Sequence, residues 1–428
     1  MKALQAALII VLTLVASPSG VCSEEAADPS VTALLEQAAA EKNAGHYTKA
    51  AALYEQAIEA DPKNPAPRLE LINLLAQVAG KEKQCRRAVR DAIKADVFSE
   101  AQWAVVIEIC TKWGFEKDAA DVYRMRLKKD PDNADYPTKI LELTLVREAK
   151  PEEVRAEIES LLGDEPPPEV ALRMAAMCET HLLFDEAAWL YEKLLKADSA
   201  NLEARLRLGQ VNLRQGKLDE AEKHARANIE LDYEHLPSRL LLAEVKLRRG
   251  AYEEALDEFR TLSKEEGGHF EAYLGETHAA FAVGQYDDAI AAALKALRIE
   301  PDSASAHALL ADVYFYVGQY AKAAGEYRHA IKADPMNLEA MIGVGRALTD
   351  SGKSREAERA FYRLYDIYES ATSERELTAR MLTHVGIACR YTDNPKDALH
   401  CFVEATKKDA TGRAPPRPSR RGRPCGAG

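Results

Sequence analysis

The sequence predicts an all-α solenoid of about eleven helix–turn–helix repeats spanning residues 31–412. Three observations carry this expectation. First, Phe270–Asn337 holds two copies of one pattern, FEAYLGETHAAFAVGQYDDAIAAALKALRIEPDS and ASAHALLADVYFYVGQYAKAAGEYRHAIKADPMN. The copies agree at Val283–Tyr286 and Val317–Tyr320, Ala289 and Ala323, Ala296 and Ala330, and Pro301 and Pro335, a spacing of 34 residues. Second, the same marks recur in phase along most of the chain, as they do when one paired-helix unit is stacked many times. Third, aromatic residues make up only 7% of a chain rich in Ala. That composition suits closely packed helices and argues against a β-sandwich.

The first 23 residues read as an export signal. Met1-Lys2 is a short positive start, and Ala3–Ala16 is an apolar core shorter than a comfortable bilayer span. Small and polar residues follow, and cleavage after Ser23 puts Val21 and Ser23 at the small-residue sites. Cys22 opens a lipoprotein reading, which the preceding Ser19-Gly20-Val21 fits poorly. An uncleaved anchor is a further alternative. Residues 24–30 then form a short linker, and the expected location is the periplasm, the envelope or the extracellular space.

Numbering each unit from 1 to 34 on the two clear copies puts Gly at 15, Tyr at 17, Ala at 20 and 27, and Pro at 32. Val31–Asn64 carries Gly45, Tyr47, Ala50, Tyr54, Ala57 and Pro62. Ala66–Ser99 keeps Gly80 and Ala92, and Glu100–Asn133 keeps Gly114, Ala119, Tyr123 and Pro131. The fourth unit, about 135–168, is divergent, and its Pro166-Pro167-Pro168 run stops a helix. From Pro168 to Ala371 the spacing is regular; Thr372–Thr378 then breaks it, read as a longer second helix, before Ala379–Gly412 closes the array.

Each mark has a physical reason. Gly at 15 ends the first helix in a left-handed turn. Small residues at 8 and 20 let the paired helices approach closely, and Tyr or Phe at 17 and 24 fills the wedge between them. Acid–Pro at 31–32 stops the second helix. Acidic pairs at 18–19, such as Glu253-Glu254 and Asp287-Asp288, open the second helix, where they favour its dipole and face solvent. Beyond Gly412, Arg413–Gly428 has five Arg, four Pro and no core-forming residue, so 413–428 reads as a disordered tail or an altered C-terminus.

Little in the chain points to chemistry. The formal net charge of -12 disfavours generic nucleic-acid binding. Cys110, Cys178 and Cys389 share position 11, and Cys85 sits at 20, both core positions. Cys389 and Cys401 lie on paired helices and are placed to touch. No CxxC, HExxH, GxSxG or phosphate-loop motif occurs, so no catalytic, metal or cofactor residue is assigned. Gly343-Val344-Gly345 lies inside an expected helix with no preceding strand, so it is packing rather than a dinucleotide loop.

Taken together, these marks resemble the tetratricopeptide repeat family over roughly Val31–Gly412. The resemblance implies a right-handed α-solenoid and a non-enzymatic role in binding protein or peptide partners. Peripheral association with membrane complexes and a part in assembling envelope or surface complexes are further implications of that family and the export signal together. An alternative is an accessory subunit of a polysaccharide synthesis, export or secretion machine. In this family the concave groove is lined by first helices, mainly at positions 2, 5, 9, 12 and 13. Carried onto this sequence, the groove candidates are Gln210, Arg214, Glu244, Arg248, His278, Phe281, Asp312, Phe315, Tyr316 and Arg346. No three consecutive units carry the Lys/Asn set with which chaperone-docking members hold a C-terminal carboxylate, so that role is not expected.

Overall fold

The computed structural model describes residues 29–163, 167–265, 269–370, 379–392 and 394–409. The expected export signal at 1–23, most of the linker and the tail at 413–428 lie outside these residues, as do Cys22, Cys425 and the break at Thr372–Thr378. The described residues form 22 α-helices and no strand. None of the helices is long and apolar enough to cross a membrane.

The helices fall into two compact units divided between Ala197 and Asp198. The first unit runs α1 (Pro29–Asn43), α2 (Tyr47–Ala60), α3 (Pro65–Gln77), α4 (Glu82–Ala95), α5 (Glu100–Lys112), α6 (Glu116–Lys129), α7 (Asp135–Val146), α8 (Pro151–Leu162), α9 (Pro168–Thr180) and α10 (Phe184–Ala197). The second runs α11 (Leu202–Arg214), α12 (Leu218–Leu231), α13 (Leu236–Arg249), α14 (Tyr252–Ser263), α15 (Phe270–Val283), α16 (Tyr286–Ile299), α17 (Ala304–Tyr316), α18 (Tyr320–Ala333), α19 (Leu338–Asp350), α20 (Ser354–Ser370), α21 (Ala379–Tyr391) and α22 (Pro395–Asp409). Consecutive helices pack together within each unit, so most contacts are local. At 17 residues α20 is the longest described helix, and it runs up to the broken register.

Helix starts follow the local chemistry. The side chains of Asn64, Asn201, Ser303 and Asn337 each accept a backbone N–H of the following first turn. Ser99 and Gln102 form a reciprocal capping box on α5. The position-15 glycines, among them Gly250 and Gly284, take the positive φ expected of them. Where the pattern has no Gly, Glu148 and Leu182 take that left-handed backbone instead, at a cost of about 1–2 kcal/mol per residue.

The two aromatic positions behave differently. At 24, Tyr54, Tyr191, Phe259, Tyr327 and Phe361 are buried. At 17, Tyr47 and Tyr252 are exposed and Tyr286 is half-buried, so the expectation that both positions fill the wedge holds only for 24. Position 17 opens the second helix at the rim of the pair, where only one side of the ring meets protein.

Position-24 rings pack directly on helix backbone. The space a side chain would need at Gly275 is taken by Phe259, at Gly343 by Tyr327, at Gly345 by Phe361 and at Gly386 by Phe402. Both glycines of the Gly343-Val344-Gly345 run therefore serve packing.

The acids at position 19 do more than face solvent. Asp118 is fully buried and accepts hydrogen bonds from Arg86 Nε at 2.5 Å and Arg90 Nε at 2.6 Å, both on the preceding second helix. Asp288 pairs with Arg260 at 2.6 Å and Glu356 with Arg328 at 3.7 Å in the same register. An Arg at position 25 thus recurrently reaches the acid at 19 of the next unit.

Cys85, Cys110, Cys178, Cys389 and Cys401 are all buried free thiols. Burial pushes their pKa values up, to about 11 for Cys85 and Cys401 and about 12 for Cys110 and Cys178. Cys389 and Cys401 share a thiol hydrogen bond within one small cluster of the last helix pair.

Candidate protein-interaction surface

Positions 9, 12 and 13 fall in the last two turns of each first helix. Such residues share one face because each turn advances by 3.6 residues. On α11, Gln210 is half-buried and Arg214 is exposed at the C-terminal end. On α13, Glu244 and Arg248 form an i,i+4 ion pair at 3.4 Å, an exposed contact that adds only tenths of a kcal/mol, about 0.3–0.5.

Arg248 also acts on α15. His278 is exposed at the surface, yet neighbouring protein atoms crowd its ring enough to lower the pKa below the ordinary 6.5. The charge of Arg248 adds a smaller push in the same direction. His278 is therefore neutral at pH 7, and the local positive charge there belongs to Arg248.

Phe281 and Tyr316 meet edge to face across consecutive units, their centroids 5.3 Å apart. Tyr286 completes the set, 5.1 Å from Tyr316 and 6.0 Å from Phe281. The two tyrosine hydroxyls hydrogen-bond, which raises the pKa of Tyr286. Tyr316 is 63% exposed, whereas Phe281 and Phe315 are half-buried against the apolar core of neighbouring repeats. The candidate aromatics thus divide: two partly belong to the core, and one is presented to solvent.

Phe315 carries the guanidinium of Arg346 over its ring at 4.8 Å and meets the edge of Tyr320 at 5.4 Å. Asp312 lies beside Arg346 and accepts a hydrogen bond from the Tyr327 hydroxyl. Desolvation raises the pKa of Asp312, and the Tyr327 bond and the Arg346 charge partly oppose that rise. Ring and ion contacts join the candidates from Phe281 to Arg346, and the charge of Arg248 reaches His278; Gln210 and Arg214 stand one first helix earlier.

Reading the sequence missed two parts of this surface. Tyr286, at position 17, is assigned there to the wedge and instead joins the aromatic set. Beyond Arg346, a cavity of about 300 Å³ is lined by Ile342, Arg346, Ile387, Arg390 and Tyr391. Arg390 and Tyr391 occupy positions 12 and 13 of the last unit, so the same register applied past the break would have found them. A larger cavity of about 560 Å³ lies in the first unit among α2, α3 and α4, over Leu71, Leu74 and Leu75. Its lining includes Glu55, Glu59 and Asp91 against Arg68, Lys81 and Arg87, so it favours neither sign of charge.

Among the described residues, no group of three His, Cys, Asp or Glu side chains is placed to hold a metal ion. What the surface offers is aromatic area and guanidinium groups, the residue types that anchor protein partners.

A family model described as tetratricopeptide repeat matches residues 42–106 and 246–313. Models for the anaphase-promoting complex, cyclosome, subunit 3 and for the TT21 fifth ARM repeats domain match residues 180–262 and 304–415. Among solved structures, the chain is similar to a thermophilic tetratricopeptide repeat protein of Thermus thermophilus. The identity is 21%, over 43% of this chain and 100% of that one, with a TM-score of 0.40. It is similar to yeast Tom70 at 15% identity over 89% of this chain and 92% of that one, with a TM-score of 0.48. The APC/C Cut9–Hcn1 structure gives 14% identity, 90% and 88% coverage, and a TM-score of 0.43. No match was found among curated proteins. With the 34-residue register, the helix pairs that follow it and two separate windows matched by the repeat model, the chain is a multi-repeat protein that carries tetratricopeptide repeats.

Proposed function

We propose that this protein is a non-catalytic interaction scaffold, exported from the cytoplasm, that holds protein or peptide partners against the first helices of its second unit and serves the assembly of envelope or surface complexes. The observation that carries the binding role is the set formed by Phe281, Tyr286 and Tyr316, with Tyr316 largely exposed. Exposed, mutually braced aromatic rings lose little conformational entropy on binding, and they are enriched at interaction hot spots. Neighbouring Arg248 and Arg346 add directional donors around the apolar centre. Export rests on Met1–Ser23 alone.

Affinity capture from an envelope fraction tests the surface, with wild-type protein compared to Arg248→Ala/Tyr316→Ala. Both side chains are exposed, so the fold is retained. Loss of two anchors is expected to lower capture by roughly ten-fold or more; unchanged capture would place the partner elsewhere. N-terminal sequencing tests export, and a cytosolic chain still beginning at Met1 would refute it. A second reading, an accessory subunit contacting glycan in a synthesis or secretion machine, draws on the same three rings. It predicts retention on a glycan matrix that Tyr286→Ala and Tyr316→Ala abolish.

A further inference from the structure

We propose that the cavity between α19 and α21 is a carboxylate site that anchors an acidic side chain of an extended peptide partner. This rests on the scaffold reading and sharpens it by naming the partner's chemistry.

Among the described residues, the cavity presents two guanidinium groups, Arg346 and Arg390, beside Ile342, Ile387 and Tyr391, and no acid. Among the described residues, neither arginine has a carboxylate within ion-pair distance. Three other arginines of the same unit are ion-paired: Arg249 with Asp219 and Glu222, Arg260 with Asp288, and Arg380 with Glu339. Among the described residues, the acids near the cavity are held elsewhere or stand outside ion-pair distance, Asp312 acting on Arg346 only through its charge. Glu339 is held by Arg380, Asp312 accepts from Tyr327, and Asp397 accepts from Asn394. Asp350, one turn beyond Arg346 on α19, is exposed and outside ion-pair distance.

The walls are held before any ligand arrives. Arg346 lies over the Phe315 ring, which limits its rotamers, and remains exposed. Tyr391 stacks face to face on buried Phe361, with centroids 4.9 Å apart and planes 8° apart. A planar fork fixed in place suits a carboxylate, which accepts two parallel N–H donors. The two isoleucines favour an aliphatic neighbour beside that acid. Adjacent helices lie about 8–10 Å apart, and an extended chain covers about 3.3 Å per residue. A peptide with its acid in the cavity therefore brings a side chain three to six residues away over Tyr316 (roughly one or two helix spacings).

The test uses the full chain and fluorescence anisotropy. The probe is a fluorescein-labelled, C-terminally amidated peptide carrying Glu-Glu flanked by Leu, with a Phe four residues on. Comparison ligands are its Gln-Gln version, the Gln-Gln version with a free C-terminal carboxylate, a uronic-acid oligosaccharide and a single-stranded oligonucleotide. The Glu peptide is expected to bind about ten-fold or more tightly than its Gln version. Arg390→Gln is expected to erase that ratio, Arg390→Lys to restore it in part, and added salt to weaken only the Glu peptide. Circular dichroism confirms that the exposed Arg390 variants fold.

Equal binding of Glu and Gln peptides, no binding of either, or a ratio untouched by Arg390→Gln overturns the proposal. So does an Arg390-dependent preference for the free C-terminus, the oligosaccharide or the oligonucleotide over the Glu side chain. If capture from the envelope needs Tyr316 while the Glu/Gln ratio is one, the scaffold reading stands and the carboxylate site falls. If the ratio depends on Arg390 while capture ignores Tyr316, the reverse holds.

Discussion

The hydroxyl of Tyr327 donates a hydrogen bond to the carboxylate of Asp312. The ring of the same tyrosine fills the space that a side chain on Gly343 would need, 2.5 Å from where its Cβ would stand. One residue of α18 thus closes the core between two repeats and also orients an acid on the candidate groove face of α17.

Tyr327→Phe keeps the ring and removes the donor. The variant is expected to lose about 1–2 kcal/mol at pH 7, since a hydrogen bond to a charged group contributes about 1.5–3 kcal/mol and Asp312 retains access to water. Its pH dependence identifies the cause. The folded-state pKa of Asp312 lies above the ordinary 3.8, so its ionised form burdens the fold, and the burden lifts as pH falls through the folded pKa towards 3.8. Without Tyr327 that pKa rises further. The deficit of the variant should therefore be largest near neutrality and shrink on acidification, as read by urea unfolding at several pH values.

Gly343→Ala and Gly325→Ala should move stability in opposite directions. At Gly343 the added methyl meets the Tyr327 ring, and overpacking costs about 1–3 kcal/mol, more than the helix gain of about 1 kcal/mol. At Gly325, also in a helix, a Cβ would meet nothing within 4 Å, so Ala is expected to stabilise by about 0.5–1 kcal/mol. Equal shifts for the two variants would contradict the packing described.

Asp118→Asn should weaken the first unit. It leaves Arg86 and Arg90 facing a neutral amide at the junction of two repeats. A fully buried pair broken on one side costs about 3–5 kcal/mol. Here both arginines reach solvent, so about 1–3 kcal/mol is expected. Faster amide exchange in α4 and α6, with α16 and α18 unaffected, would localise the effect.

Leu182→Gly is expected to stabilise the protein by about 1 kcal/mol, because Leu182 holds a left-handed backbone that costs a non-glycine residue about 1–2 kcal/mol. Its side chain is 73% exposed, so little burial is lost. A lowered melting temperature would show that the Leu side chain contributes more than its exposure implies.

The sequence by itself determined the periodic part of this protein. A 34-residue register fixes where helices start, where glycine must turn the chain and which residues are small, because each of these depends on neighbours within one or two turns. It placed the cysteines in the core and put the groove candidates on first helices by resemblance. Only the tertiary structure decided how far each candidate reaches solvent. Phe281 and Phe315 sink partly into neighbouring repeats while Tyr316 stands clear, although all three occupy adjacent groove positions. It also recruited Tyr286 to the surface, buried Asp118 between two arginines and, among the described residues, left Arg346 and Arg390 without an ion pair around one cavity. Those outcomes depend on which side chains meet across consecutive repeats, and a pattern read one unit at a time does not contain that pairing.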